Sequence, residues 1–319
     1  MDAIRYGILS TSSIAPRFIA AVREAGAGEI VALSSRSLEK AREKAKDWEI
    51  PKAYGSHLEL LKDPEVNVVY ISTVNAQHEP WARRALEHGK HVICEKPCTT
   101  SAAKTEALFR LAQEKRLFLM EAEKMLFLPA VLEVKQRIDR GELGRIYMAE
   151  LNHSFAASYN GWMYDAAAGG GPLLSSGIYV MELLLWLFGP VRRCVGLRTA
   201  MDSGVECQYV LAGELENGVL FSAKNSTLAL LQNGARFYGT KGWVELPDYW
   251  KARKAVFHLD GQPAEIVEFP CEHELIYEAM HIQDCFAQGL LTSPVVTEEL
   301  SVAGISALEQ IRAAWNAKN

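Results

Sequence analysis

The chain has 319 residues, 49% of them hydrophobic and 23% charged, with a net charge of −5 and a pI near 6.0. It contains no run of eighteen apolar residues and no basic-then-apolar leader before Ile4, so a soluble, cytoplasmic protein without a membrane partner is expected. The 34 Lys and Arg are dispersed rather than gathered on one face, which argues against nucleic acid, and the six cysteines lack a C-x-x-C pair and read as thiols in a reducing compartment.

In chain order, the first third alternates apolar runs of strand length with amphipathic stretches of helix length. The expected elements are a strand at Ile4–Leu9, a helix at Ile14–Ala25, a strand at Ile30–Ser34 and a helix at Leu38–Trp48. A strand at Val66–Ser72, a helix at Glu79–His88, a strand at His91–Cys94, a helix at Ser101–Glu114 and a strand at Leu117–Glu121 follow. This is the pattern of βαβ units on a parallel sheet. Beyond Glu121 the rhythm changes: a helix at Pro129–Arg140, an alternating segment at Ile146–Phe155, a Gly169-Gly170-Gly171-Pro172 loop and an apolar helix at Ile178–Phe188. From Val191 to Phe269 short alternating runs separated by turns predict a largely antiparallel sheet, and helices at Leu275–Ala287 and Leu300–Ala317 close the chain.

Residues with chemistry gather where parallel strands end, the edge at which open α/β sheets bind ligands. After the first strand comes Ser10-Thr11-Ser12-Ser13-Ile14-Ala15, where a dinucleotide fingerprint carries G-x-G-x-x-G or A. Serine stands at both leading glycine positions, so the loop is either a phosphate site with added hydroxyls or a Ser-rich cap of the helix. The second strand ends in Ser34-Ser35-Arg36-Ser37 with no carboxylate, which suits the 2′-phosphate of NADP better than the bare ribose of NAD, or else is an exposed turn. The third ends in Ser72-Thr73-Val74-Asn75-Ala76-Gln77-His78, whose Asn75 and His78 either contact a cofactor or cap the next helix; no metal site is expected, because His78 has no partner at ligand spacing. The fourth ends in Cys94-Glu95-Lys96-Pro97, a Lys placed to act as acid, base or electrostatic anchor.

Taken together, these residues resemble the Gfo/Idh/MocA oxidoreductase family. The resemblance rests on the loop ending in Ile14-Ala15, Ser35-Arg36, Thr73-x-Asn75-x-x-His78, Glu95-Lys96-Pro97, Gly169-Gly170-Gly171, Gly239-Thr240-Lys241-Gly242, and Tyr277-Glu278 with His281. Ile50-Pro51-Lys52-Ala53-Tyr54-Gly55-Ser56 and Phe118-Leu119-Met120-Glu121-Ala122 are similar to the branch containing dimeric dihydrodiol dehydrogenase. The resemblance implies an α/β fold with an N-terminal Rossmann-type parallel sheet (residues 1–121, NAD(P)-binding). It implies a C-terminal α+β domain with a large, mainly antiparallel open sheet (residues 122–319, substrate-binding and dimerising). It also implies a cis Lys96–Pro97 bond, a homodimer or higher homo-oligomer, and NADP as cofactor with NAD as the other option. Ser10, Thr11, Ser12, Ser13, Ile14, Ser35, Arg36, Thr73, Asn75, His78, Glu95 and Lys96 are then the cofactor residues.

Lys96, Tyr179 and Ser175 are the catalytic candidates. Tyr179 matches the family's substrate-side Tyr, and its other reading is an aromatic at the head of a buried helix. Ser175 stands where relatives carry Asp, and Leu126 and Leu128 stand where relatives often have Arg and His, while Glu123 and Lys124 add charge nearby. Trp162 either lines the pocket or packs in the core, and His153 reads as structural. The expected activity is hydride transfer between nicotinamide and a hydroxyl or carbonyl carbon of a sugar, polyol, cyclic diol or related small molecule. The substitutions at Ser175, Leu126 and Leu128 leave a nucleotide-responsive regulatory protein as the alternative, and a cofactor-free scaffold as a third.

Overall fold

Strand-forming runs in the first third are apolar on both faces, as a sheet covered by helices on two sides requires. In the computed structural model, which describes residues 3–156 and 161–316, they form β1 (Arg5–Leu9), β2 (Glu29–Ser34), β3 (Lys52–Tyr54), β4 (Val68–Ile71), β5 (His91–Glu95) and β6 (Leu119–Ala122). The intervening helices are α1 (Ala15–Ala25), α2 (Leu38–Asp47), α3 (His57–Leu61), α4 (His78–Glu87) and α5 (Ala102–Lys115). All six strands pair in parallel in the order β3-β2-β1-β4-β5-β6, which sets the strand-end loops along one edge. Leu9, Val69, Ile71, Val92 and Cys94 contribute to one core beneath α4 and α5. On the other side Phe18 of α1 stacks on Tyr70 at 3.8 Å, with Tyr6 edge-on at 5.5 Å.

The expected elements recur within two residues of their predicted ends, with short elements added. β3 and α3 were not expected, because three half-buried residues and a single helical turn are too short to leave a periodic signal.

The second part contains α6 (Pro129–Asp139), β7 (Ile146–Ser154), α7 (Pro172–Ser175), α8 (Gly177–Phe188), β8 (Val191–Ala200) and β9 (Glu206–Leu215). It continues with β10 (Leu220–Ser226), β11 (Gly234–Gly239), β12 (Gly242–Pro247), β13 (Lys254–Leu259), β14 (Glu265–Glu268), α9 (Ile276–Ala287) and α10 (Glu298–Asn316). Eight strands form a sheet in the order β14-β13-β12-β11-β7-β10-β9-β8; every pair is antiparallel except β7 with β10. The Thr240-Lys241 turn is the hairpin between β11 and β12. Ala317, the expected last residue of the closing helix, lies outside the described residues.

By packing, the chain forms two units: Met1–Lys124 with His273–Ser301, and Met125–Glu272 with Val302–Asn319. The first unit thus takes back α9, which packs on α1.

Candidate active site

Strand β1 delivers Ser10 with φ 104°, a left-handed conformation that a side chain disfavours and that glycine adopts without penalty. The fingerprint's backbone shape is therefore kept although its first glycine is not. Ser10 N–H donates to Ser34 O at 3.1 Å and Ser12 Oγ to Ser72 Oγ at 2.9 Å, tying the ends of β1, β2 and β4 together. Thr11, Ser13 and Ile14 complete the loop and lead into α1, whose N-terminal dipole favours an anion. Ser35 is buried and Arg36 exposed, just past the end of β2. Thr73 presents a buried Oγ1 with no hydrogen-bond partner among the described residues, just past the end of β4. A glycine-like turn, an accessible cation and an orphaned hydroxyl on one edge fit a dinucleotide.

Beside them, β5 ends at Glu95, whose Oε1 accepts from Tyr70 Oη at 2.5 Å, and the Lys96–Pro97 bond that follows is cis. His78 is buried; its Nδ1 lies 2.8 Å from Pro97 O and its Nε2 3.1 Å from Thr73 O. The ring thereby struts the Lys96 corner against the end of β4, and Asn75 is buried in the same turn. A neutral imidazole has one N–H for these two carbonyls; burial holds His78 below its usual pKa against that pull.

Lys96 is half-buried, and burial pulls its ammonium pKa down while the carboxylates of Glu95, Glu123 and Glu121 oppose the fall. Glu121 Oε1 also accepts from Cys98 N–H at 2.8 Å, fixing the far side of the corner. The buried Lys124 ammonium donates to Glu274 at 2.8 Å, and Arg17 of α1 pairs with the same carboxylate. Burial alone would raise the Glu274 pKa, but Lys124 and Arg17 bring it down to about 2. Glu278 of α9 is the opposite case. It is fully buried, takes no hydrogen bond among the described residues, and burial with Glu95 and Glu123 pushes its carboxyl well up, which favours the neutral acid. Glu278 was noted in the sequence only as part of a motif, and Glu274 not at all; no pattern marks a carboxylate near the end of the chain as buried beside the first strands.

In the second unit the glycine loop is shaped by Glu206 of β9. Its Oε1 accepts from Leu173 N–H at 3.0 Å, and a Cβ on Gly171, at φ 104°, would collide with that carboxylate. A Cβ on Gly170 would meet the carbonyls of Trp162 and Met163. Ser175 ends α7. Ser176 Oγ accepts from Asn225 Nδ2 at 2.6 Å and donates to Pro172 O at 3.0 Å, which sets the start of α8. Two residues into α8, Tyr179 is buried with its ring stacked 6.3 Å from His153, on which Trp250 also stacks at 3.8 Å. His153 is thus the centre of an aromatic wall with Tyr249 and Phe155, a grouping the sequence could not show because its members come from three separate segments. Leu126 and Leu128 are fully buried, and Trp162 is 41% exposed rather than a core contact.

Comparison with known proteins agrees on the family. Residues 4–123 match the model of the oxidoreductase family with an NAD-binding Rossmann fold, and residues 131–245 match the GFO/IDH/MocA C-terminal domain. Trans-1,2-dihydrobenzene-1,2-diol dehydrogenase of Bos taurus is 34% identical over 98% of this chain and 97% of its own, and that of Homo sapiens 33% over the same shares. Among solved structures, a 3-ketoreductase from Actinomadura kijaniata in complex with NADP and TDP-benzene superposes with a TM-score of 0.89 at 24% identity, covering 98% of each chain. An aldose-aldose oxidoreductase from Caulobacter crescentus complexed with glycerol gives 0.88 at 25%, covering 100% of this chain and 99% of its own.

Proposed function

The chain belongs to the Gfo/Idh/MocA oxidoreductase family, and from that premise we propose that it is an NADP-preferring oxidoreductase acting on CH–OH groups of cyclic diols, sugars or polyols. The observation that carries the reading is Lys96: a half-buried ammonium with a lowered pKa, at the carboxyl end of β5, among three glutamates. The nicotinamide, when bound, supplies or takes the hydride. Ser10, Thr11, Ser12, Ser13 and Ile14 would cradle its phosphates, Ser35 and Arg36 the adenosine 2′-phosphate, and Thr73, Asn75, His78, Glu95 and Lys96 the nicotinamide half.

Lys96 in the first unit and Tyr179 in the second are the proton carriers, and Ser175 offers a hydroxyl as donor or acceptor where relatives carry a charge. The division of labour follows as nucleotide on residues 1–121 and substrate on 122–319. The dihydrodiol dehydrogenases, similar over nearly the whole chain, support a cyclic diol as substrate.

A homodimer is supported by the outer face of the eight-stranded sheet, where Val195, Leu197 and Val210 are 64%, 77% and 51% exposed and Leu197 sits opposite Val210. No helix among the described residues is long and apolar enough to cross a membrane. A small-molecule enzyme of the cytoplasm, binding neither nucleic acid nor membrane, is the setting this reading assumes.

The test is turnover of a panel of cyclic trans-diols, aldoses and polyols followed by NADPH absorbance, with NADP+ and NAD+ compared as kcat/KM. Turnover with NADP+ at least tenfold favoured is expected. Tight NADPH binding without turnover of any member would instead favour the nucleotide-responsive regulatory protein.

A further inference from the structure

An imidazole that the proposed reaction does not use lies at the adenosine end of the first unit. His57, the first residue of α3, is 8% exposed, its Nδ1 lies 2.8 Å from Ser34 Oγ, and Trp81 of α4 packs edge-on at 4.8 Å. Ser34 is the last residue of β2, so the ring sits directly behind Ser35 and Arg36.

The Ser34 hydroxyl also lies 3.4 Å from Ile8 O, which gives the pair two complete hydrogen-bond arrangements. With a neutral ring whose Nδ1 is bare, Ser34 donates to Nδ1. With a cationic ring, Nδ1–H donates to Oγ and the hydroxyl proton turns to Ile8 O. Protonation therefore strands no donor at Nδ1, which a buried histidine with a fixed donor at that nitrogen does not achieve.

We infer that His57 is a second, proton-linked determinant of cofactor choice: a 2′-phosphate beside Arg36 draws a proton onto the imidazole, and a bare ribose does not. This rests on the NADP preference proposed above. Without ligand, burial and then the Arg36 guanidinium hold the ring down to about 4. A phosphate dianion opposes the Arg36 effect and adds its own attraction; an opposite charge within a few ångströms moves a pKa by about 1 to 3 units.

The groups around the ring are consistent with this. Ser35 and Arg36 flank it from the β2 turn. Tyr54 of β3 hydrogen-bonds Asp63, which Lys52 pairs at 3.0 Å, so that carboxylate is already engaged. On α4, Arg84 lies over the Trp81 ring, and on α3 itself Glu59 is exposed. Of these charges Arg36 is the one that shifts His57. Because binding raises the imidazole pKa, a proton is taken up, and the His57 contribution to NADP affinity grows as pH falls below the bound-state value.

The experiment is an NMR titration of the His57 imidazole in the full chain saturated with NADP+ or with NAD+, the signal being identified by its loss in His57→Gln. NADP+ and NAD+ dissociation constants for wild type, His57→Gln and Arg36→Ala at pH 6 and pH 8 accompany it. The midpoint in the NADP+ complex should exceed that in the NAD+ complex by about two to three units. His57→Gln should weaken NADP+ by about 2- to 10-fold at pH 6 relative to pH 8 and leave NAD+ unchanged. Equal midpoints in the two complexes overturn the inference even where NADP+ binds better. Equal affinities for the two nucleotides in wild type overturn the NADP preference itself. Should His57→Gln fold poorly, the affinity arm is repeated with Ser34→Ala, which removes the alternating partner and should flatten the same pH dependence.

Discussion

The two units hold their candidate residues by different physics. In the first, Lys96, Lys124 and five glutamates share a poorly solvated corner with the exposed Arg17 at its rim, so neighbours set the pKa values there: that of Glu274 is held down and that of Glu278 pushed up. In the second, Tyr179 and Ser175 stand among rings, hydroxyls and buried leucines, with Glu206 used to shape the loop rather than to carry a proton. A corner of coupled charges can tune an acid or base, whereas an aromatic wall orients a substrate and keeps water out. Ser175, at the position where the family resemblance implies an Asp, belongs to this division, since a hydroxyl adds no charge beside the rings.

The largest effect should come from testing which side moves the proton. Lys96→Ala should lower kcat by about 10² to 10⁴. In the direction of alcohol oxidation the base must be neutral, so the wild-type rate should rise with pH through the Lys96 pKa, which lies below that of a solvated lysine. Lys96→Ala should remove that limb, while Tyr179→Phe should lower kcat and leave the limb in place. The opposite outcome, a pH limb lost in Tyr179→Phe and kept in Lys96→Ala, would put the proton chemistry on the aromatic side and undo the comparison.

Next in size is the stability held by charge in the first unit. Truncating one member of a buried ion pair leaves the other uncompensated, so Glu274→Ala should destabilise the protein by about 3 to 5 kcal/mol in urea melts at pH 7. The sign with pH is defined. The folded Glu274 pKa is depressed to about 2 from 4.5, so its contribution is complete above pH 4.5 and is lost as pH falls toward 2. The wild-type excess over Glu274→Ala should therefore shrink across that interval. A difference that stays constant down to pH 2 would show that the carboxylate's packing, and not its charge, is what Arg17 and Lys124 depend on.

This same carboxylate marks the limit of what the chain discloses by itself. Parallel strands are apolar throughout, and the residues at their ends, Ser10, Arg36, Thr73 and Lys96, are found by counting from the last apolar position. That made the first sheet and its candidate edge legible. α9 was legible as a helix but its allegiance was not, because an amphipathic stripe shows that a face is buried and not against which core. Glu274 went unseen for that reason, and Glu278 stood only as part of a motif. β3 and α3, and with them His57, were missed because three residues and one turn carry no periodicity. The wall of His153, Tyr179 and Trp250 exists only once β7, α8 and the turn after β12 are folded.

The smallest effect concerns the backbone under the proposed phosphate loop. Four described non-glycine residues have positive φ; Glu49, Arg116 and Asp248 lie between 47° and 56°, the ordinary left-handed basin, but Ser10 lies at 104°. Such a conformation costs about 1 to 3 kcal/mol for a residue with a Cβ. Ser10→Gly relieves it and in return loosens the unfolded chain by about 0.4 to 1 kcal/mol, so a net gain of about 1 kcal/mol is expected, read as a small rise in the urea midpoint at unchanged m-value. The nucleotide gives the second reading. If the serine hydroxyl bonds a phosphate, Ser10→Gly should weaken NADP+ several-fold while stabilising the free protein; if serine is merely tolerated, affinity should hold or improve. A gain in stability with a loss of affinity would make the first unit one that bears backbone strain at its nucleotide edge for a ligand contact. The glycine loop of the second unit avoids such strain by keeping its glycines at 169 and 171, where φ is 72° and 104°.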